Sequence, residues 1–297
     1  MFIHPTYNNQ PPKFRIGVAL GILGDYPSRE QPWSLTEAMF KLKEAGFDCI
    51  ETWCSPDGFE SLEVIAQAAR HEGLALGGIF RTESVEEIRQ CLSNMKQVGG
   101  DYLSLHLAKL NDSNIYPIDA AAIIEQMYDE ARTAGIPLFL ETHRDTALQD
   151  IYQTIRLLEK LNRLYLNLDL SHYVLAGECN SANRTQWRRD MAPILARAGT
   201  FHGRISNGNQ IQIGLGDHEE EWTNYFIEMW SEAMFQWIQI ARPGDVCNFI
   251  CELIGPPYAL SVMRNGREEE IYDRWQQTLL LKQSAEKAWK QAVSRMK

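Results

Sequence analysis

Long apolar runs are missing from this chain. No stretch of its 297 residues approaches the ~18 a membrane span needs. The opening Met1–Pro5 lacks both the charged and the apolar region of a secretory signal. Basic patches are missing too. With 29 Lys and Arg against 39 Asp and Glu, the net charge is −10, and Arg188-Arg189 is the one adjacent arginine pair. Such a surface repels phosphate backbones and disfavours nucleic acid as a partner. The six cysteines (Cys49, Cys54, Cys91, Cys179, Cys247 and Cys251) are scattered, and no pair has zinc-ribbon spacing. Buried, reduced thiols of a cytoplasmic protein are the expectation. Gly17, Gly21 and Gly24 do not make the GxGxxG of a dinucleotide fold, and no Gly-rich phosphate cradle precedes a helix. No linker, low-complexity tract or shift in composition divides the chain, so residues 1–297 read as one domain.

Short β-rich runs alternate with longer helical patterns after the polar residues 5–13. Strands are expected at Arg15–Leu20, Asp48–Trp53, Leu74–Phe80, Tyr102–Leu107, Pro137–Thr142, Leu164–Asp169, Thr200–Ile205 and Cys247–Leu253. Helices are expected from Ser34 and from Ser84, each with a Glu three residues on as a capping box. Others fall near 59–72, 118–134, 147–160, 186–198 and 220–240, with a charged final helix from about 267 to 296. Such alternation implies parallel strands. Eight units suggest a closed (β/α)8 TIM barrel over about residues 15–253, against a doubly wound open sheet as the competing architecture.

Polar residues cluster where those strands end. Glu141-Thr-His143, Asp169-Leu-Ser-His172, His202-Gly-Arg204, Glu252 and His106 all fall there, on the face where barrel enzymes carry their chemistry. Alternation puts Glu141 opposite in facing to Leu138 and Leu140, and pairs His202 with Arg204 on one face. A lone strand-end acid is usually a helix cap or an ion-pair partner. Carboxylates meeting in one mouth repel, however, and a divalent cation removes the repulsion. Glu141, Asp169, His202 and Glu252 form an O3N set suited to one Mn²⁺, Mg²⁺, Co²⁺ or Zn²⁺ ion, with Mn²⁺ favoured by the carboxylate majority.

These motifs, with Phe47-Asp-Cys-Ile-Glu51, resemble the xylose-isomerase-like TIM-barrel superfamily of sugar isomerases, sugar epimerases and the endonuclease IV group, over essentially the whole chain. The nearest likeness is to its sugar phosphate isomerase/epimerase proteins, some of which share His-x-Arg, a Trp-rich helix (here Trp222, Trp230, Trp237) and Gly-Pro-Pro (here Gly255-Pro-Pro257). In the epimerase branch a Glu, an Asp, a His and a second Glu hold the metal, which maps onto Glu141, Asp169, His202 and Glu252. A His three residues after the Asp touches substrate there, which maps onto His172. The endonuclease branch uses further ligands. The third strand has no His, and the branch's Asp-x-His is replaced by adjacent Asp217-His218, so both could not readily reach one ion.

The resemblance implies metal-dependent isomerisation or epimerisation of a small carbohydrate, polyol or keto compound through a cis-enediolate. Glu141 and Glu252 would be the proton-transferring groups. Arg204 would stabilise the enediolate or bind a substrate carboxylate or, alternatively, pair with Asp169 or Glu252. His106 and His143 are substrate contacts or core histidines, and Trp53 and Tyr258 are sugar-stacking aromatics or packing. Trp230 and Trp237, one heptad apart, form a seam within the chain or between two copies. A lyase of the inosose-dehydratase type uses a similar site and is the alternative. A DNA-repair enzyme and a barrel that binds without turnover are more remote.

Overall fold

The computed structural model describes residues 12–28, 30–54, 60–108, 120–216 and 220–296. Eight strands pair in sequence order, all parallel, and close on themselves. They are β1 (Lys13–Ala19), β2 (Cys49–Trp53), β3 (Ala75–Thr82), β4 (Tyr102–Leu107), β5 (Leu138–Glu141), β6 (Leu166–Leu168), β7 (Ala198–Gly203) and β8 (Val246–Cys251). Closure is made by β1 against β8, from Lys13 opposite Val246 to Val18 opposite Cys251. The open sheet is thereby excluded.

The outer layer comprises α1 (Leu35–Glu44), α2 (Leu62–His71), α3 (Val85–Val98), α4 (Ala121–Ala134), α5 (Ile151–Lys160), α6 (Leu170–Ala176), α7 (Arg184–Leu195), α8 (Glu220–Ile240) and α9 (Arg274–Ser294). Their starts follow from local chemistry. Ser34 Oγ accepts from the Glu37 amide at 3.2 Å, and Asp150 and Asp273 accept from Gln153 and Gln276, each at 2.8 Å. These caps satisfy amides that have no partner in the first turn. At α3 the expected box is rearranged. Ser84 Oγ still caps the Glu87 amide at 3.3 Å, but the Ser84 amide donates to Thr82 Oγ1 at 2.9 Å, and the Glu87 carboxylate accepts from that same hydroxyl.

One element differs from the sequence expectation. The final helix begins at Arg274, not near 267, because Arg267–Glu270 pairs as a strand, β10, with β9 (Ser261–Arg264) in an antiparallel hairpin. Arg274 then fixes the helix start. Its Nη1 donates to the Ile22 carbonyl and to Asp25, both at 2.6 Å, and its Nε to Glu270 at 3.1 Å. The Trp seam falls within the chain, the first of the two arrangements expected for it. Trp230 and Trp237 are fully buried within the chain, Trp230 edge-on to Phe249 of β8 at 5.0 Å and Trp237 edge-on to Trp289 of α9 at 6.2 Å. They join α8 to the barrel and to α9, so this seam is no subunit contact. All six cysteines are unpaired and buried. No described helix is long and apolar enough to cross a membrane.

Alternation along β7 sets the inner wall. Phe201 packs against Phe249 at 6.1 Å on the outer face, where a Cβ on Gly203 would also overlap the Phe249 ring. His202 and Arg204 consequently point inward. Gly203→Ala is expected to destabilise the fold by about 1–3 kcal/mol through overpacking. Urea unfolding of the two proteins checks this, and an unchanged midpoint would mean that Phe249 moves aside freely.

Candidate functional site

The site is assembled at the C-terminal ends of the strands. Glu141 is the last residue of β5, Asp169 follows β6, His202 lies in β7, and Glu252 follows β8. His202 occupies the centre. Its Nε2 bonds Glu51 Oε1 at 2.5 Å, which fixes the ring. Its Nδ1 then faces two carboxylates, 3.1 Å from Glu141 Oε2 and 3.1 Å from Glu252 Oε2. Neither contact has hydrogen-bond geometry, so Nδ1 is a buried atom without a hydrogen-bond partner, as is Glu141 Oε1. Glu141, His202 and Glu252 present ligand atoms within 4.8 Å of one another.

Glu141 is held from further sides. His106 Nε2 lies 2.7 Å from Oε2, and Asn167 Nδ2 donates to the same oxygen at 3.2 Å and to Ser104 at 2.7 Å. Burial acts to raise the Glu141 carboxyl, but His106 and His202 outweigh it and hold the group well below its usual range. The Glu252 carboxyl is also raised by burial, yet Arg204 and His202 bring it down to about 2. His202 is the converse. Burial disfavours its charge, and Glu141, Glu51 and Glu252 together push it well above the imidazole range. A cation is what this position calls for.

Asp169 is occupied differently. It caps α6, with Oδ1 accepting from the Ser171 amide at 3.0 Å and its hydroxyl at 2.5 Å. Its Oδ2 accepts from Arg204 Nε at 3.2 Å and lies 3.4 Å from His172 Nε2. Burial raises the Asp169 carboxyl to about 6, against the pull of Arg204. Arg204 itself is buried. It spans two carboxylates, with Nε on Asp169 and Nη2 on Glu252 at 2.6 Å, while Nη1 has no hydrogen-bond partner. The ion pairs weighed in the sequence are therefore both made, and they tie Asp169 to the cluster through the guanidinium.

The remaining predicted residues form a row of rings beside this centre. His106 stacks on His143 at 4.6 Å, His143 meets His172 at 3.9 Å, and Trp53 stands edge-on to His106 at 5.3 Å. Trp53 is 41% exposed, a rim residue and not part of the core. His172 is buried with both ring nitrogens free of hydrogen bonds. Burial, then His143 and Arg204, hold it neutral. Glu141, His143 and His172 make a second group of closely spaced ligand atoms. Asp217-His218 lies outside the described residues.

Sequence reasoning gave no role to Glu51 or Arg144. Glu51 lay inside a motif already singled out, and its signal was an acid at the inward position of an otherwise apolar strand. Arg144 lies over the Tyr258 ring, its guanidinium carbon 4.8 Å from the centroid, with Arg204 at 4.7 Å from the same ring.

The donor chemistry fits a divalent ion. Glu51, Glu141, Asp169 and Glu252 are four buried carboxylates against one buried permanent cation, Arg204, and Glu141, His202 and Glu252 converge, the first two each with a buried atom that has no hydrogen-bond partner. Fold and site together define a parallel eight-stranded barrel with a carboxylate–imidazole centre in its mouth. The chain belongs to the xylose isomerase-like TIM barrel family, whose profile matches residues 40–224, well over half of its length. Comparison with curated protein sequences gives no significant match. Among solved structures, an L-ribulose 3-epimerase superposes with a TM-score of 0.62 at 15% identity, covering 95% of this chain and 96% of the other. A xylose isomerase-like TIM barrel protein from Mycobacterium smegmatis in complex with magnesium gives 0.57 at 15% identity, covering 94% and 98%. The probable 3-DHS dehydratase AsbF from Bacillus anthracis gives 0.54 at 14% identity, covering 82% and 94%. At these identities the likeness is one of fold.

Proposed function

We propose that the protein is a divalent-metal-dependent isomerase or epimerase of a small carbohydrate or related polyol or keto compound. The observation that carries this reading is the convergence of Glu141 Oε2 and Glu252 Oε2 on His202 Nδ1, each at 3.1 Å. Glu141, His202 and Glu252 would hold the ion, with Asp169 as the fourth donor. Mn²⁺ suits that set, and the magnesium complex of the Mycobacterium smegmatis relative supports a divalent ion of this kind. Bound there, the ion would act as a Lewis acid on a carbonyl and its neighbouring hydroxyl.

The chain's own groups carry the protons. Glu141 and Glu252 are both held anionic at neutral pH, the state a base requires. Either can take the hydrogen from the α-carbon and leave a cis-enediolate. Return of the proton by the other carboxylate inverts the centre, and return by the same one to the adjacent carbon interconverts aldose and ketose. His172, neutral and with both nitrogens free, can meet a substrate oxygen. His106 and His143 extend that wall, and Trp53 offers a ring at the rim. The L-ribulose 3-epimerase fold match supports epimerisation. A dehydratase is the second reading, favoured by the match to AsbF.

The test is a screen of Mn²⁺-loaded protein against ketoses, inososes and hydroxy-keto acids, with NMR for exchange of the α-hydrogen in deuterated water. Exchange with conversion between isomers supports the proposal. Loss of water without exchange into recovered substrate favours the dehydratase, and neither event on any substrate removes both.

Glu51 gives a further check. As the group that orients His202, it acts on the metal through its neighbour. Glu51→Gln is expected to weaken Mn²⁺ affinity about 10–100-fold. Titration calorimetry measures it, and unchanged affinity would show that His202 needs no such support.

A further inference from the structure

Glu141, His143 and His172 bring ligand atoms within 4.8 Å of one another, and the reaction above gives that group no ion of its own. Glu141 and His143 stand at the end of β5, and His172 lies in α6, just after the neighbouring β6. Each has an unfilled donor. Around Glu141, His106, His202 and Asn167 crowd Oε2, while the buried Oε1 has no hydrogen-bond partner among the described residues. His143 Nδ1 donates to the Arg144 carbonyl, which fixes the tautomer and puts the lone pair on Nε2. A metal-ligating imidazole is usually held in this way, by a carbonyl or carboxylate on its other nitrogen. His172 is buried, and neither of its nitrogens has a hydrogen-bond partner among the described residues. Buried polar atoms are rarely left so unless something binds to them.

We propose that Glu141 Oε1, His143 Nε2 and a ring nitrogen of His172 hold a second divalent ion, with Glu141 bridging it to the ion at His202. The donor set differs from the first. Two imidazoles and one carboxylate suit Zn²⁺, where the carboxylate majority around His202 suits Mn²⁺. Three protein ligands leave one tetrahedral position open. The substrate oxygen assigned above to His172 would meet the ion there, so the site rests on that reading for its chemistry but not for its ligands. Charge allows it. Four buried carboxylates face Arg204 as the one buried permanent cation, so a single divalent ion leaves one negative charge in excess. Arg204 is neutralised by Asp169 and Glu252, and Arg144 is half-buried, where solvent screens its charge. Asp169 Oδ2, 3.4 Å from His172 Nε2, adds a further attraction.

Elemental analysis of chelator-treated protein reloaded with Zn²⁺, with calorimetric titration of the same preparation, tests the site. Wild type is expected to take two Zn²⁺ ions per chain. His143→Ala and His172→Phe should each take one, with the second binding weakened at least about a hundredfold, since even a supporting group is worth about 10–100-fold. Glu252→Gln should weaken the other ion and leave the His143-dependent one in place. The ion that each variant retains shows that it has folded. One ion in wild type, or loss of both in His143→Ala, overturns the second site. So does a second ion that survives His143→Ala, as one bound adventitiously at the exposed His71 would. A His143-dependent ion without a Glu252-dependent one removes the metal centre of the isomerase reading and leaves this site standing; a Glu252-dependent ion alone does the reverse.

Discussion

Arg204→Met is expected to be the most destabilising change at the barrel mouth, at about 3–5 kcal/mol in chelator-treated protein. The guanidinium is buried and holds Asp169 and Glu252 at 3.2 and 2.6 Å. Its removal leaves two desolvated carboxylates with no permanent counter-charge. Arg204→Lys keeps one positive charge but loses the fork, so it recovers part of the loss, because an ammonium cannot span both partners as a planar group does. Metal affinity should move the other way. With Arg204 gone, Asp169 and Glu252 are released, and Mn²⁺ should bind Arg204→Met at least as tightly as wild type. A ligand present at a hundred times its Kd returns about 2.7 kcal/mol of stability. Urea unfolding in chelator and in Mn²⁺ separates these effects. A variant as stable as wild type in chelator would show that the two acids take up protons without penalty. Exchange activity per metal-loaded site should still fall roughly ten- to hundredfold in Arg204→Lys, equivalent to ~1.4–2.7 kcal/mol.

Glu141→Gln is expected to lose metal and turnover together. One oxygen of this carboxylate meets His106 at 2.7 Å, His202 at 3.1 Å and Asn167 at 3.2 Å, so its charge is shared among three neighbours. The amide removes that charge and introduces donors facing imidazoles that were themselves stabilised by an anion. Metal content should drop substantially, and α-hydrogen exchange should fall by about 10²–10⁴ even at saturating Mn²⁺, the usual reach of a positioned base. Elemental analysis and NMR exchange on one preparation give both quantities. Full loading with near-normal exchange would sink the dual role.

The barrel could be read in the sequence because its strands are short and β-rich, and α1, α2, α3, α5, α6 and α9 each open on a side-chain cap that local chemistry makes by itself. The same locality explains what was misread. Arg267–Glu270 is as charged as a helix start, and only its pairing with Ser261–Arg264 makes it a strand. The side chains gathered at the mouth were legible because four successive strands deliver them to one end. Their partners were not. Glu51 reaches His202 across 151 residues, and no pattern around either residue announces the contact. Arg204 was legible as inward-facing, yet its choice of Asp169 and Glu252 depends on how α6 is capped and on where β8 ends. Arg144 was invisible, since a strand-end Arg beside two polar residues reads as solvated surface until Tyr258 is brought over it.

Closure of the barrel by β1 against β8 also orders events during synthesis. Arg15 bonds Asn248 across 233 residues, and Arg274 reaches back 252 residues to the Ile22 carbonyl. At ribosomal speeds of about 5–20 residues per second, the outer edge of β1 stays open for roughly 10–50 s before its partner is made. Through that interval the nascent chain exposes the backbone donors and acceptors of Arg15–Val18, a template for pairing with another unfinished copy. β1 emerges before the other barrel strands and is thus among the last of them to be satisfied. Ribosome-bound chains truncated before Val246 should accordingly be protease-sensitive in β1, with protection arriving only once β8 and the start of α9 have cleared the exit tunnel.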